Sequence, residues 1–196
     1  MKRSTAMKFS GIIVGCVLLD IVLHLVTSRF SSTPPSPVYS PLAERLGTGG
    51  AATLWALFAF SSVAAVFYRF RDSIPGPAIT RGLRYGAGLA SLWLVAMLEG
   101  VPLFGNEVVD EFVVGLSDAI PVLGLGALLG RLVLQNGGRD ESDSPPLVRR
   151  LLAVCIFAAV FLSGRYVAYT TEVIRSGLQT HALDTFLWTL LMGICI

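Results

Sequence analysis

Charge is what this chain has least of. Of its 196 residues, 14% are Asp, Glu, Lys or Arg, against about 25% in a soluble domain. The deficit runs the whole length, 54% of the residues are hydrophobic and the mean hydropathy is +0.70. The solvent for most of this chain is therefore lipid. A net charge of +2, with no basic patch interleaved with aromatics, excludes a nucleic-acid binder. No lysine follows Lys8, which excludes a retinal-type Schiff base within a span. Histidine occurs twice, as His24 and His181, too few for a multi-histidine metal centre, and no metal or cofactor is expected. A mixed set drawn from Asp20, His24, Glu99 and His181 is the alternative that zinc leaves open, since it accepts both nitrogen and oxygen ligands. The three cysteines, Cys16, Cys155 and Cys195, lie in apolar runs. They cannot close a disulfide framework and read as small packing residues. HExxH, CxxC and P-loop motifs are missing, as is the Gly-x-Ser-x-Gly elbow of a serine hydrolase.

What is present is a series of apolar runs. About 20 apolar residues in a helix cross the ~30 Å hydrocarbon core, and six runs qualify: 9–27, 51–68, 83–103, 112–134, 151–170 and 180–196. Backbone polar groups in lipid must pair within their own segment, so each run is a helix; barrel-type alternation is absent. The expectation is a single polytopic domain, residues 1–196, folded as an all-α bundle of six transmembrane helices. The start "MKRSTAMKFSGIIVG" mimics a signal peptide. Its apolar stretch, however, carries Asp20 and His24, and no small-residue cleavage pattern closes it. "IVGC" (Ile13–Cys16) mimics a lipoprotein box, but the apolar stretch before Cys16 is too short.

Arginine sets the orientation. Lys2, Arg3 and Lys8 precede the first span. Arg69, Arg71, Arg81 and Arg84 lie between spans two and three, and Arg131, Arg139, Arg149 and Arg150 between spans four and five. The positive-inside rule then puts both termini in the cytoplasm of a cell-membrane protein. The acidic run Gly105–Phe112 and the Pro-rich loop Ser31–Gly50 fall outside. "RDSIPGPAITRGL" (Arg71–Leu83) aligns without gaps with "RDESDSPPLVRRL" (Arg139–Leu151), a candidate trace of hairpin duplication.

Ionisable side chains inside spans are costly, about 2.5–3.5 kcal/mol each at a helix centre. Asp20 and His24 stand one turn apart on the first span, Glu99 ends the third, Asp118 is on the fourth, Arg165 on the fifth beside Tyr166 and Tyr169, and Asp184 opens the sixth. All fall in the outer half. The expectation is a polar cavity open to the extracytoplasmic side, lined by Asp20, His24, Glu99, Asp118, Arg165, Tyr166 and Tyr169. The single permanent cation, Arg165, needs Asp20, Glu99 or Asp118 as its partner. The acidic excess that remains suits a proton relay or a cationic ligand. Pro121, with Gly115, Gly124, Gly126 and Gly130 around it, predicts a kinked or broken helix beside Asp118. Gly11 with Gly15, and Gly82 with Gly86, form small-residue pairs suited to close helix packing, within the chain or with a homo- or hetero-oligomeric partner. Trp55 and Trp188 fit the outer aromatic belt.

The six-span layout with both termini inside is similar, in size and topology, to the substrate-binding subunits of energy-coupling-factor vitamin transporters. Where those carry Ala-x-x-x-Ala in the first span, this chain has Gly11 and Gly15. The resemblance implies a solute-binding membrane subunit. The residues themselves support a small carrier that binds a solute or ion. An intramembrane enzyme acting on a lipid or isoprenoid headgroup and a structural subunit of a membrane complex are the alternatives. Membrane lipids are partners in each case.

Overall fold

The computed structural model describes residues 3–30, 41–134, 146–170 and 178–195, and the regular structure among them is entirely helical. In chain order the helices are α1 (Arg3–Thr27), α2 (Pro41–Phe70), α3 (Ala78–Met97), α4 (Gly100–Phe104), α5 (Val108–Leu132), α6 (Leu147–Thr170) and α7 (Ala182–Cys195), with one 3₁₀ turn at Arg71–Ser73 after α2. Five of them, α1, α2, α3, α5 and α6, belong to stretches long and apolar enough to cross a membrane. The helix α7 is apolar but 14 residues long, below the length that crosses the core untilted.

Three sequence expectations change. Residues 41–50, expected in a loop, belong to α2, which bends at Gly47; its φ of 73° is open to glycine and strained for other residues. The third run, 83–103, is two helices rather than one. Pro102 has no N–H to give the Leu98 carbonyl, which takes the Val101 amide instead at 3.1 Å. The chain tightens there, and a short α4 follows, closed by Gly105 at φ 68°. The helix α5, by contrast, is not broken beside Asp118: it runs helical through Pro121 from Val108 to Leu132. Prolines are tolerated inside membrane helices where neighbouring groups satisfy what they free. Residues 31–40 of the Pro-rich loop and 139–145 of the candidate repeat lie outside the described residues.

The bundle is built on α5, which packs against α3, α1 and α2. The α3–α5 contact is a glycine seam. A β-carbon added to Gly126 would lie 2.7 Å from Gly86 Cα, and one on Gly82 would lie 2.8 Å from Gly130 Cα. The two backbones touch, which only residues without a side chain permit. Gly82 and Gly86 thus serve packing inside the chain, whereas a β-carbon on Gly11 or Gly15 meets nothing within 4 Å among the described residues. Beside the seam, Val122, Leu125 and Leu129 of α5 and Ala64 and Phe67 of α2 are sealed from the surface. Tyr85 stacks on Phe67 at 5.0 Å and donates its hydroxyl to the Val63 carbonyl at 2.8 Å, tying α3 to α2. The helices α6 and α7 form a hairpin in which Gly193 seats against Ala158. It joins the rest mainly through α7.

Candidate functional site

Contacts along the seams fix which ends of the helices meet. Lys8, early in α1, donates to the Leu132 carbonyl at the close of α5, while Thr27, ending α1, meets Ser117 in the first half of α5. Gly82 faces Gly130, and Gly115 faces Leu94 and Met97. Both α1 and α3 therefore run antiparallel to α5. The closing turns of α1 and α3 and the first half of α5 share one end of the bundle. Asp20, His24, Glu99 and Asp118 lie toward that end. At the other end Arg81, with a side chain only 1% exposed, donates to the Arg71 carbonyl at 3.1 Å and to Asp72 Oδ1 at 3.2 Å. Arg84 donates there to the Pro75 carbonyl at 2.8 Å.

The expected site residues fall into two clusters. The first spans α1 and α5. His24 Nδ1 donates to the Asp20 carbonyl at 3.0 Å, four residues back on the same helix, and lies 3.8 Å from Asp20 Oδ1. On its other edge, His24 Nε2 is 3.8 Å from Asp118 Oδ1. One ligand-capable atom from each of Asp20, His24 and Asp118 falls within 4.8 Å of the others. The carboxyls are 13% and 20% exposed and the imidazole 40%, so the imidazole is the open side of the cluster. A hydroxyl pair adjoins it: Thr27 Oγ1 and Ser117 Oγ are 3.1 Å apart, and Ser117 also donates to the Val113 carbonyl. With the Ser117 proton on Val113, the single Thr27 hydroxyl proton has Ser117 Oγ, or the Leu23 carbonyl at 2.9 Å on its own helix, as its acceptor. These bonds hold α1 to α5 beside the ionisable groups.

The second cluster joins the α3–α4 break to the α6–α7 hairpin. Arg165 forms an ion pair with Glu99 and donates through Nε to the Tyr169 hydroxyl at 2.9 Å. Tyr169 donates to Glu99 Oε1 at 3.1 Å, and Thr189 Oγ1 lies 3.2 Å from the same hydroxyl. Thr189 in turn donates to the Thr185 carbonyl at 2.7 Å. The guanidinium carbon is 5.0 Å from the Tyr169 ring centre, within cation–π range. Tyr166 packs edge-on against Tyr169 at 5.7 Å and Phe186 at 6.5 Å, forming the aromatic wall of this cluster. Arg165, Glu99 and the Tyr169 hydroxyl are bound to one another across the helices, which is the mark of a connection between them, while the buried Thr185 hydroxyl has no partner among the described residues.

Of the three acids open to Arg165, the structure selects Glu99. The other two face His24. His181 pairs with Asp184 at 3.9 Å, apart from both clusters, and Glu99 is engaged by Arg165. The mixed metal set written from the sequence is thus not the set that assembles. Asp118 takes the place of both. Sequence reasoning also missed Thr27, Ser117 and Thr189. Their hydroxyls look like ordinary helix packing in a linear string; the available signal was Ser117 beside Asp118 and Thr27 one turn from His24. Trp188, expected in an interfacial belt, has its indole nitrogen buried with no hydrogen-bond partner among the described residues, whereas Trp55 is 65% exposed. Comparison with protein-family models, curated proteins and solved structures finds no match to this chain.

Proposed function

We propose that this chain is a multi-pass protein of the cell membrane that binds a small cation, or a solute bearing one, at Asp20, His24 and Asp118, and that it serves in the transport of that ion or solute. One observation carries the reading: Arg165 is taken by Glu99, so the α1–α5 cluster has two carboxyls facing a single imidazole. With both carboxyls ionised its charge is −2 around a neutral imidazole and −1 around an imidazolium. Charge of that kind within an apolar bundle is costly, and a bound cation offsets it. The half-exposed imidazole gives a ligand a way in.

Orientation follows from the basic end. Lys8, Arg71, Arg81 and Arg84 gather at the end opposite the two clusters. Under the positive-inside rule that end faces the cytoplasm and the clusters face outward. The Glu99–Arg165–Tyr169–Thr189 network holds the α6–α7 hairpin to the rest of the chain in this scheme.

Thermal unfolding of the detergent-purified protein, run across pH and a panel of inorganic ions, vitamins and lipid precursors beside Asp20→Asn and Asp118→Asn, tests the proposal. A cation present at a hundredfold over its Kd adds about 2.7 kcal/mol to folded stability. A stabilising cation whose effect disappears in both variants is the expected result. A flat response to all cations, with the variants merely less stable, defeats it.

A further inference from the structure

Resting on the reading of Asp20, His24 and Asp118 as a cation site, we propose that the ion is a divalent transition metal of the zinc type. His24 Nε2 and one carboxylate oxygen from each of Asp118 and Asp20 would ligate it.

The imidazole carries the first argument. A backbone carbonyl only accepts, so the 3.0 Å bond to the Asp20 carbonyl puts the proton of a neutral imidazole on Nδ1. Its Nε2 then presents a lone pair to Asp118 Oδ1, itself an acceptor, across 3.8 Å. Two lone pairs do not attract, and 3.8 Å is too long for an imidazolium hydrogen bond, whose N···O distance stays near 2.7–3.2 Å. A metal ion fits the gap between these two atoms, and an oxygen of Asp20, within 4.8 Å of the set, would turn in to complete it. Zinc–nitrogen and zinc–oxygen bonds of about 2.0–2.2 Å bring both atoms to one ion with an angle of roughly 130° between them. The bond from Nδ1 to a main-chain carbonyl is also the usual outer support of a metal-ligating histidine, fixing its tautomer and ring orientation.

Charge and ligand type narrow the ion. Two carboxylates and a neutral imidazole balance a charge of +2, leaving the site neutral; a monovalent ion leaves −1 among apolar helices. Magnesium and calcium prefer six or more oxygen ligands. A nitrogen-and-carboxylate set suits zinc, cobalt and their neighbours. Three protein ligands leave one position for water or an entering group, the arrangement of an exchangeable rather than a structural site. The Thr27–Ser117 hydroxyl pair beside the cluster fixes α1 against α5, so the ligands from the two helices are held in register before the ion arrives.

The full-length protein, purified in detergent and freed of metal by a chelator, is titrated with Co²⁺ followed by visible absorption, with Zn²⁺ by calorimetry, and with Na⁺ by thermal unfolding. One Co²⁺ per chain with the ligand-field bands of a four-coordinate nitrogen–oxygen site, displaced by Zn²⁺, is expected. His24→Gln and Asp118→Asn should each weaken Zn²⁺ binding about 100-fold or more, and His181→Gln should leave it unchanged. A second variant guards against misfolding: His24→Cys should keep the cobalt and add thiolate-to-metal charge-transfer absorption, which a histidine of purely structural role would not produce. Zn²⁺ binding that is indifferent to His24→Gln overturns the proposal. So does a site that takes Na⁺ and no transition metal, with the effect lost in Asp118→Asn, although the broader cation-site reading then stands. Failure of all three ions to bind overturns the metal site as well.

Discussion

Arg165 is bound to Glu99, with the Tyr169 hydroxyl bridging the pair from the side. The pair reaches from α6 to the break between α3 and α4. Because α6 otherwise packs chiefly on α7, this contact is the tie of α6 itself to that break, beside the packing of α7 on α3 and α4. It also withdraws the cation from Asp20 and Asp118, so the same bond shapes both clusters.

The pair should behave as a unit. Its side chains are 21% and 14% exposed, so removing one partner strands the other in a poorly solvated site. Arg165→Leu or Glu99→Leu alone should each destabilise by roughly 3–5 kcal/mol. The double variant should lose much less than the sum, since the uncompensated charge is gone. Unfolding in graded denaturing detergent measures all three; additive losses would mean that the two residues act independently.

The glycine seam makes a sharper prediction about packing. Gly126→Ala puts a methyl 2.7 Å from Gly86 Cα, so α3 and α5 must separate, at about 1–3 kcal/mol. Gly15→Ala meets open space and should change stability by no more than about 0.5 kcal/mol. Equal losses from the two substitutions would show that this face of α1 packs on something outside the described residues.

At the basic end, Arg81 and Asp72 are unequal partners. Arg81 is 1% exposed and Asp72 74%. Asp72→Asn keeps an oxygen for Arg81 to donate to but takes the counter-charge from a buried guanidinium, and should cost about 1–2 kcal/mol. Arg81→Ala removes the guanidinium from the part-buried Arg71 carbonyl and leaves a void where a 1% exposed side chain stood, for about 2 kcal/mol or more. Thermal unfolding of the two variants, side by side, checks the order.

Orientation can be read by labelling. With Cys16, Cys155 and Cys195 replaced by serine or alanine, Glu107→Cys, before α5, should react with an impermeant maleimide added to intact cells. Ser73→Cys, in the 3₁₀ turn after α2, should react only after the membrane is opened. Both side chains are exposed. The reverse pattern would turn the two clusters toward the cytoplasm.

The sequence alone determined the building block and pointed to lipid as its solvent. Scarcity of charge over long apolar runs leaves helices as the economical structure, because a backbone in lipid must satisfy itself within its own segment. It also located every ionisable group that a site could use, since each such group stands out against an apolar background. Tertiary structure decided the pairing. That Arg165 takes Glu99, that His24 meets Asp118, and that Thr27 reaches Ser117 depends on which helix faces lie together. The glycine seam sets how α3 and α5 face each other, and it is made of residues that carry no directional signal in a linear string. The break at Leu98–Gly100 was likewise hidden inside an apolar run. It follows from the missing amide of Pro102, while Pro121, with the same chemistry, is absorbed inside α5 by its neighbours. Whether a proline ends a helix is settled by what packs around it, and only the folded chain contains that.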